Sequence, residues 1–253
     1  MKDIALCIAG QPRFYNGTGY DSLVKYIIEP YQPDVFFHTW WSADDVGKNY
    51  VAAPWSGVEN SPENNVQKNA LRDLLELYQP VGYEAEPIRQ FTLPRDYSGN
   101  TTHKTFSPPN LFSWTYSNKR VALLKQNHER RCGKKYCFVI RARFDGVFLN
   151  FLDLTKLSNE FVYVPDVCPN PQLLADPITV SNSTDHDLIA ELYEKLDLYF
   201  TRGIVMNAEH MFTAHLIATG LAPRVRKVPV KYDICRAWPS VSPMNSDGGT
   251  DKN

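Results

Sequence analysis

The sequence predicts a single α/β domain in which helices flank a mixed β-sheet. Two observations lead to this fold class. Short apolar runs of strand length recur along the 253 residues, and longer segments between them place apolar residues three and four positions apart, as a helix that packs on a sheet requires. This alternation is typical of α/β proteins rather than of β-sandwiches or helix bundles.

The predicted elements alternate along the chain. Strands are expected at 4–9, 34–39, 82–86, 136–143, 161–164 and 224–230. Helices are expected at 20–28, 66–78, 111–129, 185–200 and 208–218. The last helix is the best delimited, because Asn207 can cap its first turn and Gly220 can end it. Together these elements indicate one Rossmann-like domain over 1–238.

Three segments interrupt the alternation. The loops at 40–65 and 87–109 are rich in polar residues and proline, and loops of this length in a compact domain are usually functional or mobile. The end of the chain, 239–253, consists largely of Ser, Gly, Asp and Asn. It has almost nothing to bury, so we expect a disordered tail there.

Charge and composition exclude several partners. The 27 basic and 28 acidic residues give a net charge of -1, so no overall positive field attracts nucleic acid or anionic lipid. Any bound anion must therefore meet a local cluster of cations. No apolar run is long enough to span a membrane. The five cysteines form no Cys-x-x-Cys pair, which indicates reduced thiols in a cytoplasmic protein.

The most informative segment is the end of the predicted strand 136–143. Arg141, Arg143 and Asp145 are spaced two apart, so on a pleated backbone they share one face. Gly146 follows directly and permits a sharp turn or the close approach of a ligand. In an open α/β sheet, ligands collect at the carboxyl ends of strands.

This combination suits a diphosphate held with a divalent metal. Guanidinium groups neutralise phosphate oxygens, and a carboxylate such as Asp145 binds a hard divalent cation through oxygen. The alternative is a solvated strand face on which Arg143 and Asp145 form a surface ion pair of little energetic value.

Two other strand ends offer candidate ligand contacts. Gly10, Gln11, Pro12 and Arg13 form a short turn after the first strand, although neither a dinucleotide fingerprint nor a phosphate loop occurs. Taken alone, the turn is better explained by a purely structural role. His38 and Trp40 would share one face at the end of the second strand, where they could bind and stack a nucleobase or sugar; a core histidine beside a packing tryptophan is the alternative.

Carboxylates later in the chain are candidate general bases. Asp176 in a loop and Glu209 at a helix start remain open for this role. Asp185 and Asp187 are better explained by helix capping, since Thr184 and Asp187 have the spacing of a capping box.

Taken together, these motifs resemble one family. The first strand running into Ala9-Gly10-Gln11-Pro12-Arg13, the Phe37-His38-Thr39-Trp40 strand end, the segment Val139 to Asp145 and the helix start Ala208-Glu209-His210-Met211 resemble nucleotide-sugar-dependent glycosyltransferases of GT-A fold. Such enzymes occur in large algal viruses and in bacterial polysaccharide clusters. The similarity extends from Ile4 to about Arg236; each motif is short, and their order is the specific feature.

The resemblance implies a cofactor and a donor. In that family an Asp-x-Asp motif or a reduced equivalent holds manganese or magnesium on the donor diphosphate. Here Arg143 stands in the first position and only Asp145 matches. Either a water and a distant residue complete the metal's shell, or Arg143 takes over part of the metal's role. By the same analogy, the turn from Gly10 to Arg13 holds the nucleotide, usually uridine diphosphate (UDP).

The expected reaction is transfer of a sugar from a nucleotide-sugar donor to a hydroxyl of a growing glycan. The metal at Asp145, with Arg141 or Arg143, would stabilise the departing diphosphate. Asp176 or Glu209 would take the acceptor's proton in an inverting transfer, while retention remains open. A viral origin would place the chain in the host cytoplasm; its oligomeric state is open. The alternatives are a carbohydrate- or nucleotide-binding module without catalysis and a nucleotidyltransferase or phosphohydrolase.

Overall fold

The computed structural model describes residues 3–50, 62–97 and 107–235. They form an α/β fold with a seven-stranded mixed sheet flanked by helices, which confirms the predicted fold class. The tail predicted at 239–253 and parts of both long loops lie outside the described residues. No helix within the described residues is long and apolar enough to cross a membrane.

The main sheet has the order β3-β2-β1-β4-β7-β6-β8, and β5 pairs with β9 in a second, two-stranded sheet. The strands are β1 (Ile4–Gly10), β2 (Asp34–Trp40), β3 (Gly82–Glu86), β4 (Phe138–Ala142), β5 (Gly146–Phe148), β6 (Val162–Pro165), β7 (Thr179–Ser181), β8 (Val225–Val228) and β9 (Tyr232–Ile234). The first four run parallel, whereas β7 is antiparallel to both of its neighbours.

Seven α-helices surround the described sheet. They are α1 (Thr18–Leu23), α2 (Glu29–Tyr31), α3 (Ala70–Tyr78), α4 (Pro108–Cys132), α5 (Ser183–Ala190), α6 (Leu192–Thr201) and α7 (Ala208–Ala218), and the π-helix Val24–Ile28 joins the first two. The last helix has the predicted bounds, and the Asn207 side chain caps it by accepting from the backbone N–H groups of Glu209 and His210.

Several predicted boundaries were wrong. Strand β4 ends at Ala142, and the short strands β5, β7 and β9 were not predicted. The helix expected at 185–200 is divided at Glu191. The predicted capping box is also wrong: Asn182 caps α5 by accepting from the Asp185 backbone N–H at 2.9 Å, while Asp187 pairs with the buried Lys125 at 2.9 Å.

The two faces of the sheet differ in polarity. Leu6, Ile8 and Ile140 face an apolar core shared with Leu23 and Leu74 of the helices below. Between the opposite face and helices α4 and α5, apolar residues are mixed with buried polar groups, namely Arg141 of β4, Lys125 of α4 and His186 of α5. Charged groups are therefore buried on one side of the sheet, and the other side supplies a continuous hydrophobic core.

The strand order places a crevice at one edge of the sheet. From β1 the chain adds β2 and β3 on one side and then returns to add β4 on the other side. The order thus reverses between β1 and β4, and in open α/β sheets ligands bind outside the carboxyl ends of the strands at such a point.

Candidate functional site

A cleft of about 490 Å³ lies at this reversal point. Its volume is within the range of small-molecule sites, ~300–1,000 Å³. Its walls come from the ends of β1, β2 and β9, the start of α4, the β4–β5 turn, the β6–β7 loop and the start of α7. The lining residues are Ala9, Gly10, Gln11, Arg13, Trp40, Asn110, Leu111, Ser113, Trp114, Arg143, Asp145, Val167, Cys168, Pro169, Ala175, Asp176, Pro177, Asn207, Ala208, Glu209, Ile234 and Cys235.

The cleft brings together most of the site residues that the sequence suggested. Gly10, Gln11, Arg13, Trp40, Arg143, Asp145, Asp176 and Glu209 line it. Pro12, His38 and Arg141 do not, and each of these three is buried.

The turn after β1 brings Arg13 to the cleft. Gly10 has φ of 121°, a conformation that a residue with a Cβ rarely adopts. The Arg13 backbone N–H then donates to the Gln11 carbonyl at 2.9 Å. Burial lowers the pKa of Arg13, and the nearby Asp145 opposes that shift. The turn therefore supplies a positive charge beside Asp145.

The β4–β5 turn holds a bidentate ion pair. Arg143 Nε donates to Asp145 Oδ1 at 2.7 Å, and Arg143 Nη2 donates to Oδ2 at 2.8 Å. Burial alone would raise the pKa of Asp145, but Arg143 outweighs it and lowers that pKa. Burial would likewise lower the pKa of Arg143, and Asp145 raises it instead. Both groups are therefore charged at neutral pH.

Gly146 is required by a protein contact rather than by a ligand. The Tyr232 hydroxyl occupies the position that a Cβ on Gly146 would take. Any larger residue would push Tyr232 away, so this glycine lets β9 pack closely on β5.

The residues around Asp145 do not fit a divalent metal. Arg143 occupies both of its carboxylate oxygens, and Arg13 adds a second positive charge nearby. Magnesium and manganese are held by at least one available carboxylate together with waters and substrate oxygens, and the only cluster of three metal-type ligands among the described residues excludes Asp145. The predicted metal site at Asp145 therefore lacks a suitable set of ligands in the described structure.

That cluster of His38, Glu84 and Glu86 lies at the ends of β2 and β3, with ligand atoms within 4.8 Å of one another. Its acceptors already have partners. Arg120 Nε donates to Glu84 at 2.8 Å, Tyr116 Oη donates to Glu86 at 3.0 Å, and His38 Nε2 lies 3.2 Å from Glu86. We call His38, Glu84, Glu86, Tyr116 and Arg120 the rim cluster.

His38 is a core residue of the rim cluster. Its side chain is 0% exposed, and its ring meets Trp40 edge-on at 4.9 Å. Burial lowers its pKa, against the opposing effect of Glu86. The suggestion that His38 contacts a nucleobase is therefore corrected in favour of the core histidine. Trp40 does reach the cleft, where it stacks on Tyr116 with ring centroids 5.6 Å apart.

Asp176 and Glu209 are carboxylates in the cleft without ion-pair partners in the described part of the chain. Asp176 lies in the loop before β7, and Glu209 lies in the first turn of α7. Burial raises the pKa of Asp176 to about 6, and Glu209 contributes to the rise, while Arg141 and Arg143 oppose it. A carboxylate with this pKa can accept a proton near neutral pH.

Arg141 lies behind the cleft wall rather than in it. Its guanidinium donates to the Asp176 carbonyl, and Cζ lies 5.3 Å from the ring centroids of both Trp114 and Phe212. The suggestion that Arg141 binds the donor is therefore corrected. The alternation that grouped it with Arg143 holds only in an extended strand, and the chain turns after Ala142.

Sequence reasoning missed other parts of the cleft. Trp114 lies within a long helix whose apolar residues gave no reason to single it out, although its ring reaches the cleft. Val167, Cys168 and Pro169 come from a loop without a recognisable motif. Comparison with known proteins assigns no family, because no protein-family model matches this chain and no curated protein matches it significantly.

Proposed function

We propose that this chain is a glycosyltransferase that moves a sugar from a nucleotide diphosphate donor, in the simplest case a UDP-sugar, to a hydroxyl of a glycan acceptor. One observation carries the proposal. The cleft at the carboxyl ends of β1 and β4 combines two arginines, two tryptophans and a pair of carboxylates without ion-pair partners among the described residues. Groups of these three kinds suit the diphosphate, the rings of the donor and the proton of the acceptor.

The arginines suit the diphosphate. As the bond between the sugar C1 and the phosphate oxygen breaks, negative charge develops on the departing nucleoside diphosphate. Arg13 and Arg143 line the cleft, and guanidinium groups bind phosphate oxygens through charge-assisted hydrogen bonds. The Trp114 ring is partly exposed at the cleft wall and supplies an apolar face on which a base or sugar ring can stack, whereas Trp40 is 2% exposed and packs within the wall.

The carboxylates suit the acceptor. The acceptor oxygen forms the new bond to C1, and its proton must pass to a base. Asp176 is our choice for this base, because its pKa of about 6 leaves it ionised yet basic at neutral pH. Glu209 acts on Asp176 through its charge. A base on the face opposite the leaving group would give inversion at C1.

We further propose that Arg143 and Arg13 take the electrostatic role that the resemblance gives to a metal. The ligand set at Asp145 supports this assignment, since Arg143 already occupies that carboxylate. In this proposal Asp145 fixes the Arg143 guanidinium at the cleft wall, so Asp145 acts by positioning a cation.

A panel of nucleotide sugars tests the proposed function. The protein is incubated with each donor, with and without Mn²⁺, in the presence of diverse glycan acceptors, and release of nucleoside diphosphate is followed. We expect release with at least one donor. Glu76→Gln is a control for substitutions of the cleft carboxylates, because Glu76 is 71% exposed on α3.

Other outcomes would identify other functions. Binding of a nucleotide sugar without turnover under any condition would indicate a non-catalytic binding module. Release of pyrophosphate or monophosphate would indicate a nucleotidyltransferase or a phosphohydrolase. Either result would contradict the glycosyltransferase proposal.

A further inference from the structure

Arg141 is a buried cation with unusual surroundings. Its residue is 3% exposed, and among the described residues no carboxylate lies within ion-pair distance of it. Buried charges are normally paired. Lys125, a buried residue of α4, shows the usual arrangement, with Glu129 at 3.0 Å and Asp187 at 2.9 Å.

Two of the three side-chain contacts of Arg141 are with residues that line the cleft. Its guanidinium donates to the backbone carbonyl of Asp176, and it lies over the Trp114 ring at 5.3 Å. Both of these partners line the cleft. The third contact is with Phe212 of α7, whose ring centroid lies 5.3 Å from Arg141 Cζ. Phe212 is one helical turn after Glu209. A single guanidinium thus touches the loop and both helices that form this wall.

We propose that Arg141 is a positioning residue that fixes the Asp176 loop and the Trp114 ring in the cleft and keeps a positive charge next to that loop. The description of Asp176 as a base rests on the proposed function, whereas the contacts of Arg141 do not. The carbonyl bond and the two aromatic contacts supply the geometric part of this role. The positive charge supplies the electrostatic part.

The electrostatic part has a definite sign. Glu209 from α7 raises the pKa of Asp176, while Arg141 from β4 and Arg143 from the β4–β5 turn lower it. Removing the Arg141 charge favours the protonated acid, so the pKa of Asp176 must rise further. If Asp176 is the base, the acidic limb of the pH–activity profile then moves to higher pH.

The test compares Arg141→Met, which removes the charge, with Arg141→Lys, which keeps it. Arg141 has no ion-pair partner among the described residues, so Arg141→Met leaves no opposite charge buried and unpaired, and we expect it to fold. Phe212→Leu is a second variant, which removes the aromatic contact of the Arg141 guanidinium but keeps its positive charge. Arg72→Met is the matched control, because Arg72 is 64% exposed on α3.

The first readout is the titration of the Asp176 carboxyl, followed by carbon NMR without any donor. We expect Arg141→Met to raise its midpoint by about one pH unit, which corresponds to a change of about 1.4 kcal/mol. Arg141→Lys should largely restore the midpoint, and Arg72→Met should leave it unchanged. An unchanged midpoint in Arg141→Met would overturn the inference, whether or not the protein turns over any donor.

The second readout is turnover of whichever donor proves active. Arg141→Met should lower kcat about 10-fold to 100-fold and shift the acidic limb upward, with KM for the donor changed less than about 3-fold. Phe212→Leu should lower kcat less than Arg141→Met does, and it should leave the acidic limb of the pH–activity profile in place. A loss confined to KM would contradict positioning and indicate direct donor binding by Arg141. Absence of turnover in the parent protein would count against the proposed function alone.

Discussion

Two clusters of charged and aromatic residues lie at the same edge of the sheet, and they differ in how their charges are paired. In the rim cluster, each carboxylate accepts hydrogen bonds from arginine, tyrosine or histidine. The cleft contains the Arg143–Asp145 pair together with Arg13, Asp176 and Glu209, which we call the cleft cluster. There, Asp176 and Glu209 have no ion-pair partner within the described residues.

This difference shows that composition alone does not identify a site. The rim cluster has the residue types of a metal site, and the cleft cluster has those of a surface ion-pair network. The pairing of the charges indicates the opposite assignment, in which the cleft cluster is the functional site and the rim cluster is structural. Charges that satisfy one another stabilise the fold, whereas the raised pKa of Asp176 marks a group held in an unfavourable state, which is typical of functional sites.

The largest effect is expected from Asp176→Asn. Loss of a general base lowers turnover about 10²-fold to 10⁴-fold, and the affinity for UDP should change less than about 3-fold. The measurement pairs a kinetic assay with calorimetric titration of UDP. If Glu76→Gln lowers turnover as much as Asp176→Asn does, or if Asp176→Asn keeps its turnover, Asp176 is not the base.

Asp176→Asn should also stabilise the fold. The folded-state pKa of Asp176 lies above its ordinary value, so ionisation at neutral pH opposes folding, and the neutral amide avoids that cost. We expect a gain of about 1 kcal/mol at pH 7, seen as a higher Tm. The gain should disappear below about pH 4, where the parent carboxyl is protonated in both states.

Arg13→Met should cause the next largest effect, on nucleotide binding. A charge-assisted hydrogen bond contributes ~1.5–3 kcal/mol, so we expect the Kd for UDP to rise about 10-fold to 100-fold. Asp145 keeps its pair with Arg143, which should leave folding intact. An unchanged Kd in a folded Arg13→Met protein would remove Arg13 from the anion site.

Arg120→Met replaces an arginine by methionine in the rim cluster, as Arg13→Met does in the cleft cluster. Arg120 and Glu84 are 35% and 26% exposed, so breaking their pair should cost only about 1 kcal/mol of stability. The Kd for UDP should stay within about 2-fold of the parent value. A loss of affinity as large as that in Arg13→Met would abolish the distinction between the two clusters.

Removal of divalent metals should have the smallest effect. Because Arg143 occupies the Asp145 carboxylate, we expect the Kd for UDP to change less than about 3-fold between EDTA and millimolar Mn²⁺. A strong dependence on Mn²⁺ that disappears in Asp145→Asn would restore Asp145 as a metal ligand. A dependence that disappears in Glu86→Gln would instead make the rim cluster a metal site.

The sequence predicted the fold well where strands are long and buried. β1 and β2 were placed within one residue of their observed bounds, because apolar runs mark them. β5, β7 and β9 have only three residues each, and so short a strand leaves no periodic pattern to detect. Their pairing depends on tertiary contacts such as that between Gly146 and Tyr232.

The candidate site was predictable in part. Arg13, Arg143, Asp176 and Glu209 were singled out because their residue types suit the chemistry, and all of them line the cleft. The error over Arg141 arose because pleat alternation was carried past Ala142, where the strand ends. The burial of His38 depends on Tyr116 and Glu86 as well as on the neighbouring Trp40, and the first two are distant from His38 in sequence.

A crystal structure of the protein with UDP, grown in the presence of Mn²⁺, tests the central claim most directly. We predict the diphosphate in the cleft within hydrogen-bond distance of Arg13 and Arg143, with Asp145 still paired to Arg143 and the rim cluster unchanged. A diphosphate bound elsewhere, or held through a manganese ion on Asp145 or on the rim cluster, would contradict the claim.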